Sequence, residues 1–423
     1  MKRFTALFIL GVTLALGLLA GRADAAPLTG ATNIGATSNN SCAVVAGGKV
    51  RCWGENLSGQ IGDGTAGTDR HVGTLVLNTD GTQLTGATQV TVGIEFACAR
   101  LSTKQVRCWG QNGSGQLGDG STDAATRAVV VRNSSDSGPL TNVTQIDAGG
   151  SHVCARRTDG SARCWGVNAF GQLGNDQDTN GSPLPTSVSN VAGTGPLTGV
   201  VQVVSGIQHS CARLENEQVR CWGGDFQGQV GNGGGTGEYH RPVAVRQVDG
   251  TGNIGNVSSI AAGDHTACAV LGNGQARCWG DGGQGELGEQ DDADRQLPVI
   301  VEDPGANVIS SLDNVALTGV AQVATGGDHT CFRLTNGQLR CAGQNTDGQL
   351  GTDQAGTGVA LPVRNASDTG VLTDVVQVTA GGDHTCARLG TGAVFCWGED
   401  ASGQVGNGAG LADVELPTLV QSA

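Results

Sequence analysis

Fourteen cysteines fall into seven pairs with a single offset: Cys42/Cys52, Cys98/Cys108, Cys154/Cys164, Cys211/Cys221, Cys268/Cys278, Cys331/Cys341 and Cys386/Cys396. Each pair is ten residues apart, and successive pairs follow at steps of 55 to 63 residues. A fixed period of this length means one supersecondary unit repeated, each copy burying its apolar face against its neighbours. Six of the second cysteines are followed by Trp-Gly, at Trp53, Trp109, Trp165, Trp222, Trp279 and Trp397, while the sixth copy has Ala342. Each copy then carries G-Q-L-G or a close variant, beginning at Gly59, Gly115, Gly171, Gly228, Gly285, Gly348 and Gly403; the fifth reads G-E-L-G.

One unit reads as four strands. The first is L-T-G-V-V-Q-V-x-x-G, as in Leu197 to Gly206, and the second is H-S-C-A-R-L, as in His209 to Leu214. A tight turn follows, such as T-D-G at Thr158, G-N-G at Gly272 or T-N-G at Thr335, where Gly supplies positive φ at little cost. The third strand is Q-V-R-C-W-G. After the G-Q-L-G corner comes a fourth, beginning at Pro242 in copy four and Pro417 in copy seven, since Pro suits a strand start or an outer edge. Glycine is 72 of 423 residues and aromatics are 3%, which disfavours helix and fits turn-dense β structure. The expected fold is all-β: a seven-bladed β-propeller over residues 26–423, with four antiparallel strands per blade. A period near 57 is too long for the coil of an open solenoid, and a ring removes the exposed edges of an open array.

Within each hairpin the two cysteines lie symmetrically about the turn, so antiparallel pairing sets them opposite one another and a disulfide is expected in every blade. Zinc thiolates usually come two to four residues apart, and none do here. Seven disulfides require an oxidising compartment. Residues 1–25 agree: Lys2 and Arg3 precede an apolar run from Phe4 to Ala20, and Ala23-Asp24-Ala25 fits a small-x-small cleavage site. A secreted, periplasmic or cell-surface protein is therefore expected, monomeric and without a membrane span in the mature chain. Cleavage removes Lys2, Arg3, Arg22 and Asp24, changing the formal charge from −14 to −16. That sign argues against a nucleic-acid partner.

The segment G-G-D-H-T-C-A-R-L-G-T-G-A-V-F-C-W-G from Gly381 to Gly398, followed by G-Q-V-G at Gly403, resembles the regulator of chromosome condensation repeat family, and the resemblance recurs over residues 28–423. It implies a seven-bladed propeller. The paired cysteines depart from intracellular members. The family's founder exchanges guanine nucleotide and binds chromatin, but a secreted chain of charge −16 would meet neither a small GTPase nor a nucleosome, so exchange is not expected. What the resemblance implies is a protein-binding face.

His152, His209, His329 and His384 stand two residues before a cysteine, and His265 stands three before; one His per unit at a fixed strand position suggests a bond between blades rather than a metal ring. Eleven arginines occupy repeat positions, which spreads them over the blades and forms no basic patch. No G-x-S-x-G, H-E-x-x-H or phosphate loop is present, and no catalytic residue is assigned. No cofactor is expected beyond a Ca²⁺ ion at Asp176, Asp178 and Asn180, which fit the start of a calcium loop but lack its closing Glu, since Ser187 is there. The corner after Trp-Gly is small or polar in most copies, but copies three and four carry Phe170 and Phe226. Tyr239, His240 and Arg241 follow in copy four, and aromatics and Arg are favoured at binding hot spots. The expected function is a non-enzymatic recognition scaffold binding an extracellular protein or glycan through this patch. The alternatives are an extracellular carbohydrate-active enzyme, which would need exposed carboxylate pairs in a cleft, and a passive surface or adhesion module.

Overall fold

In each hairpin the sequence over-determines the register, because a short turn and a cross-strand disulfide must agree. The computed structural model describes residues 25–303 and 315–423. The expected signal segment, apart from Ala25, lies outside the described residues. In the fourth repeat the strands run Val200–Ser205, His209–Leu214, Val219–Gly224 and Glu238–Ala244, each antiparallel to the one before. Cys211 stands directly opposite Cys221. The same register sets Cys42 against Cys52, Cys98 against Cys108 and Cys154 against Cys164. It also sets Cys268 against Cys278, Cys331 against Cys341 and Cys386 against Cys396. All seven pairs are disulfide-bonded, as expected, with Cα atoms 4.1 to 4.2 Å apart. The turn residue with left-handed φ is Gly160, Gly274, Gly337 or Gly392 in four hairpins, and Lys104 or Glu217 in two others.

The seven repeats give seven sheets in chain order, four-stranded in blades 2 to 7 and extended to six strands in blade 1. The first strands stand side by side around the axis, with Asn33–Thr37 closing against Val375–Ala380, and they line a central channel of about 230 Å³. The fourth strand is outermost. It starts earlier than its proline in both copies where the proline was expected to start it: at Glu238, before Pro242, and at Val414, before Pro417. The proline sits inside the strand, which the outer edge tolerates because no neighbour needs its missing N–H.

Two relays join blades. The glutamine of the first strand reaches the main chain of the next blade: Gln89 bonds both Ile146 N and O, Gln145 Val203, Gln202 Ile260, Gln322 Val378 and Gln377 Ile34, at 2.8 to 3.2 Å. Asn33 does part of this in blade 1, accepting from Val90 N. Each tryptophan points back. Trp109 Nε1 donates to Gln60 O in the preceding blade's G-Q-L-G corner, Trp165 to Gln116 O, Trp222 to Gln172 O, Trp279 to Gln229 O, Trp397 to Gln349 O and Trp53 to Gln404 O, all at 2.9 to 3.0 Å. The six indoles are fully buried, so their large apolar area and their one donor are both accommodated at a seam.

The seam between blades 5 and 6 lacks both relays, since Ser259 and Ala342 stand where the other blades have Gln or Asn and Trp. Phe332, fully buried, fills the gap from the second strand, where six copies have Ala. A Cβ on Gly288 would lie 3.6 Å from its ring, whereas the matching Gly62, Gly118, Gly174, Gly231, Gly351 and Gly406 back onto tryptophan.

Closure exchanges none of the four strands of a blade. Gln421–Ser422 adds to the outer edge of blade 1 through Ser422 and Gly73, and Ala26–Pro27 pairs with it antiparallel.

Candidate binding face

The loops between first and second strands and the corners between third and fourth strands emerge on one side of the ring. The glycines opening the first set are required by close approach. A Cβ on Gly149 would lie 2.0 Å from Gly206 O, one on Gly206 2.3 Å from Gly263 O, and one on Gly326 2.4 Å from Gly381 O. Main-chain bonds follow the same path, including Gly150 N to Gly206 O and Asp264 N to Gly326 O. The corners are anchored from below: Asn112 Oδ1 accepts from Leu117 N and Asn168 Oδ1 from Leu173 N, with Asp225 and Asp400 doing the same for Val230 and Val405. The face is thus a rigid rim with variable tips.

The cysteines take no part in that face. The third-strand partners Cys52, Cys108, Cys164, Cys221, Cys278, Cys341 and Cys396 are fully buried, and Cys42, Cys98, Cys154, Cys211, Cys268, Cys331 and Cys386 opposite them are buried as well. Every one is oxidised, so none offers a thiolate to a ligand or metal. They staple the hairpins that carry the loops.

At blades 3 and 4 two of the corner tips touch. Phe170 and Phe226 meet edge to face with ring centroids 5.5 Å apart. Phe226 is 44% exposed and Phe170 is half-buried. Tyr239 does not join them as a third exposed ring. It is half-buried, packs against the apolar core between blades 4 and 5, and its hydroxyl donates to Gly235 O at 3.4 Å. His240 backs onto Gly171, whose Cβ would lie 2.9 Å from His240 Cα, and its Nε2 is 3.5 Å from Glu238. Arg241 is exposed and pairs with Asp176 at 3.2 Å, so blade 4 is tied to the long loop of blade 3. Leu57, 62% exposed, occupies in blade 1 the corner position of Phe226; comparing corners residue by residue reveals it in the sequence.

Asp176, Asp178 and Asn180 lie in an exposed loop. Asp176 faces Arg241, and Asn180 offers its carbonyl to Asn168 N. Among the described residues, no group of three or more His, Cys, Asp and Glu side chains has metal-holding geometry.

Blades 5 to 7 carry a second, acidic sector that spacing along the chain does not single out. Asp328 and Asp383 stand at the same loop position in blades 6 and 7, and Asp264 stands one position earlier in the corresponding loop of blade 5. Burial, then the charges of Asp328 and Asp383, push the Asp264 carboxyl up to about 7. Burial raises Asp328 and Asp383 as well, with Asp281 and Asp347 adding repulsion respectively. Glu286, the Glu of G-E-L-G, is 1% exposed and pushed up to about 7, first by burial and further by Asp281 and Asp328.

The histidines are structural. His152, His329 and His384 are fully buried, and each Nε2 lies 2.7 to 2.8 Å from a hydroxyl of the next blade, at Ser210, Thr385 and Ser41. The expectation of bonds between blades holds, with a hydroxyl standing between ring and main chain: Ser210 Oγ passes its bond to Gln172 O. Burial holds His152, His209 and His384 down at about 3 and His329 at about 4, so all are neutral. In blade 5 the buried position belongs to Thr266, and His265 sits in the face loop beside Asp328 instead of in the ring of histidines. The repeat arginines bond mainly carbonyls, as Arg51 does Gly73 O and Arg156 does Val200 O, and form no single patch. Inside the channel Asp147 accepts from Ser205 N at 2.7 Å, yet burial pushes its carboxyl up to about 7.

The profile of the regulator of chromosome condensation (RCC1) repeat matches residues 31–60, 87–116, 143–172, 200–229, 257–286, 320–349 and 375–404. A second profile of that repeat matches 105–156, 159–213, 273–333 and 336–388, and together they cover more than half of the chain. The ultraviolet-B receptor UVR8 of Arabidopsis thaliana is 28% identical over 92% of this chain and 81% of its own length. The secretion-regulating guanine nucleotide exchange factor of Bos taurus is 28% identical over 70% of this chain and 60% of its own. Among solved structures, human WBSCR16 superposes with a TM-score of 0.72 at 22% identity, covering 88% of this chain and 94% of that one. Prp20p from Saccharomyces cerevisiae gives 0.69 at 21% identity, covering 89% and 86%. At these identities the structures speak for the fold.

Proposed function

The chain belongs to the regulator of chromosome condensation repeat family, and we propose that it is a secreted, non-enzymatic recognition scaffold that holds a protein partner on the loop face at blades 3 and 4. The observation that carries this reading is the edge-to-face pair of exposed Phe226 and half-buried Phe170 on adjacent corners of a rigid rim. A rigid aromatic anchor loses little conformational freedom on binding and buries a large area. Prp20p, which shares the fold, has binding properties toward Gsp1p and histones, which supports a protein as the class of partner. Seven disulfides fit an oxidising compartment, and the apolar run ending at Ala25 supports export through a cleaved leader. Among the described residues no helix is long and apolar enough to cross a membrane.

Capture from the native extracellular milieu tests the reading. Phe226→Ala should weaken retention of the partner by at least about 1 kcal/mol, roughly fivefold, with thermal stability nearly unchanged. Equal retention by wild type and variant would remove the aromatic corner from the site.

A further inference from the structure

Six of the seven corners place a glutamine under the loop face, and in five of them both ends of its amide are hydrogen-bonded. Its oxygen accepts a main-chain N–H two residues earlier, as Gln349 accepts from Asp347 N. Its nitrogen points toward acceptors on the face: Gln404 Nε2 donates to Glu399, Gln60 Nε2 to Glu55, Gln116 Nε2 to Gln111 and Gln349 Nε2 to Asp383 of the next blade. In blade 5 the residue is Glu286. Its Oε2 keeps the main-chain bond, accepting from Gln284 N at 2.9 Å. Its Oε1 stands in for the amide nitrogen, is buried, and has no hydrogen-bond partner. At the places where the other corners offer acceptors stand Asp281, the residue after Trp-Gly, and Asp328, the loop acid of the next blade; both charges act on Glu286.

Three acidic side chains therefore meet where each neighbouring corner has a donor. Asp264 and Asp383 flank them, and His265 lies beside Asp328. A buried acceptor left unpaired is costly, the more so when it is charged. We infer that the Glu286 corner receives a lysine or arginine side chain of a protein partner, whose N–H groups take the place of the missing amide and bond Glu286, Asp281 and Asp328. An inorganic cation fits less well, because these carboxyls do not form a metal-holding group. The raised carboxyls of Glu286 and Asp264 agree with a site completed by an outside positive charge. The inference rests on the loop face being a recognition surface, and it adds what that surface selects for at blades 5 and 6.

A dye-labelled Gly-Lys-Gly-Lys-Gly peptide, read by fluorescence anisotropy at low salt against the full chain, tests it without the native partner. Glu286→Gln restores the residue of the other corners and should fold; it should weaken binding at least fivefold, as should Asp328→Asn. Asp249→Asn, at an exposed acid in a loop following a fourth strand, removes the same formal charge elsewhere and should change it less than twofold. Acetylating both lysines should weaken binding at least fivefold in the wild type. Equal binding by wild type and Glu286→Gln, or by free and acetylated peptide, overturns the inference. So does full displacement of the peptide by millimolar Ca²⁺, which would make the corner an inorganic cation site. If peptide binding ignores Glu286 while partner capture still depends on Phe226, the corner fails and the recognition reading stands.

Discussion

Asp225 and Asp400 show how one atom changes a repeat position. Asn56, Asn112, Asn168 and Asn345 hold this place elsewhere, each accepting from the corner main chain through Oδ1 and donating through Nδ2 to loop oxygens such as Thr65 O, Ser121 O, Gln177 O and Thr352 O. An ionised aspartate keeps the first bond and loses the second. Burial pushes Asp225 up to about 6 and Asp400 up to about 7, the latter helped by Asp413 and Glu399. A carboxyl raised on folding binds its proton more tightly in the native state. Its contribution is therefore most favourable below the ordinary aspartate value near 4 and is lost as pH rises toward about 7. Asp400→Asn should raise stability at pH 8 by about 1–2 kcal/mol and change it little at pH 4. Urea midpoints at the two pH values would check this, and an equal effect at both would refute the titration argument. The Trp-Gly-x-Asn pattern was present in the sequence, but its meaning depended on a bond across a corner that spacing does not reveal.

At the scale of the blade, the sequence carried the hairpins and their disulfides almost entirely, because turn, offset and pairing are local. His209–Leu214 was legible to the residue. The seams were legible only in part. The repeated Trp signalled burial, while its acceptor, Gln172 O for Trp222, lies 50 residues earlier. Tyr239 was misjudged for the same reason, since its place along the chain says nothing about the groove that the next blade offers it. Where blade 6 lacks Trp, Phe332 fills the vacated space from the second strand. Its test is a swap. Ala342→Trp alone should destabilise by about 1–3 kcal/mol through overpacking. Phe332→Ala alone should cost about 3–5 kcal/mol. The double variant should cost clearly less than the two together, since it rebuilds the arrangement of the other six seams. Additive costs would show that the two side chains do not share one space.

For the whole molecule, the number of blades and their order were readable from cysteine spacing, whereas the acidic sector required knowing which loops share a side of the ring. The clasp has a mechanical consequence. Ala26 is paired with Ser422, so the two ends of the ring leave one antiparallel pair side by side. A force pulling those ends apart meets the bonds of this pair one after another, as a zip, and does not load them all at once. The clasp should therefore part at low force, before any blade is disturbed. Each blade that follows can then lengthen only by the chain outside its disulfide, because the ten-residue span from Cys211 to Cys221 and its six counterparts cannot extend. In single-molecule pulling, oxidised protein should show a small first event and then steps shorter than those of reduced protein by one such span per blade. A single large rupture with no early event would mean that the clasp carries no load of its own.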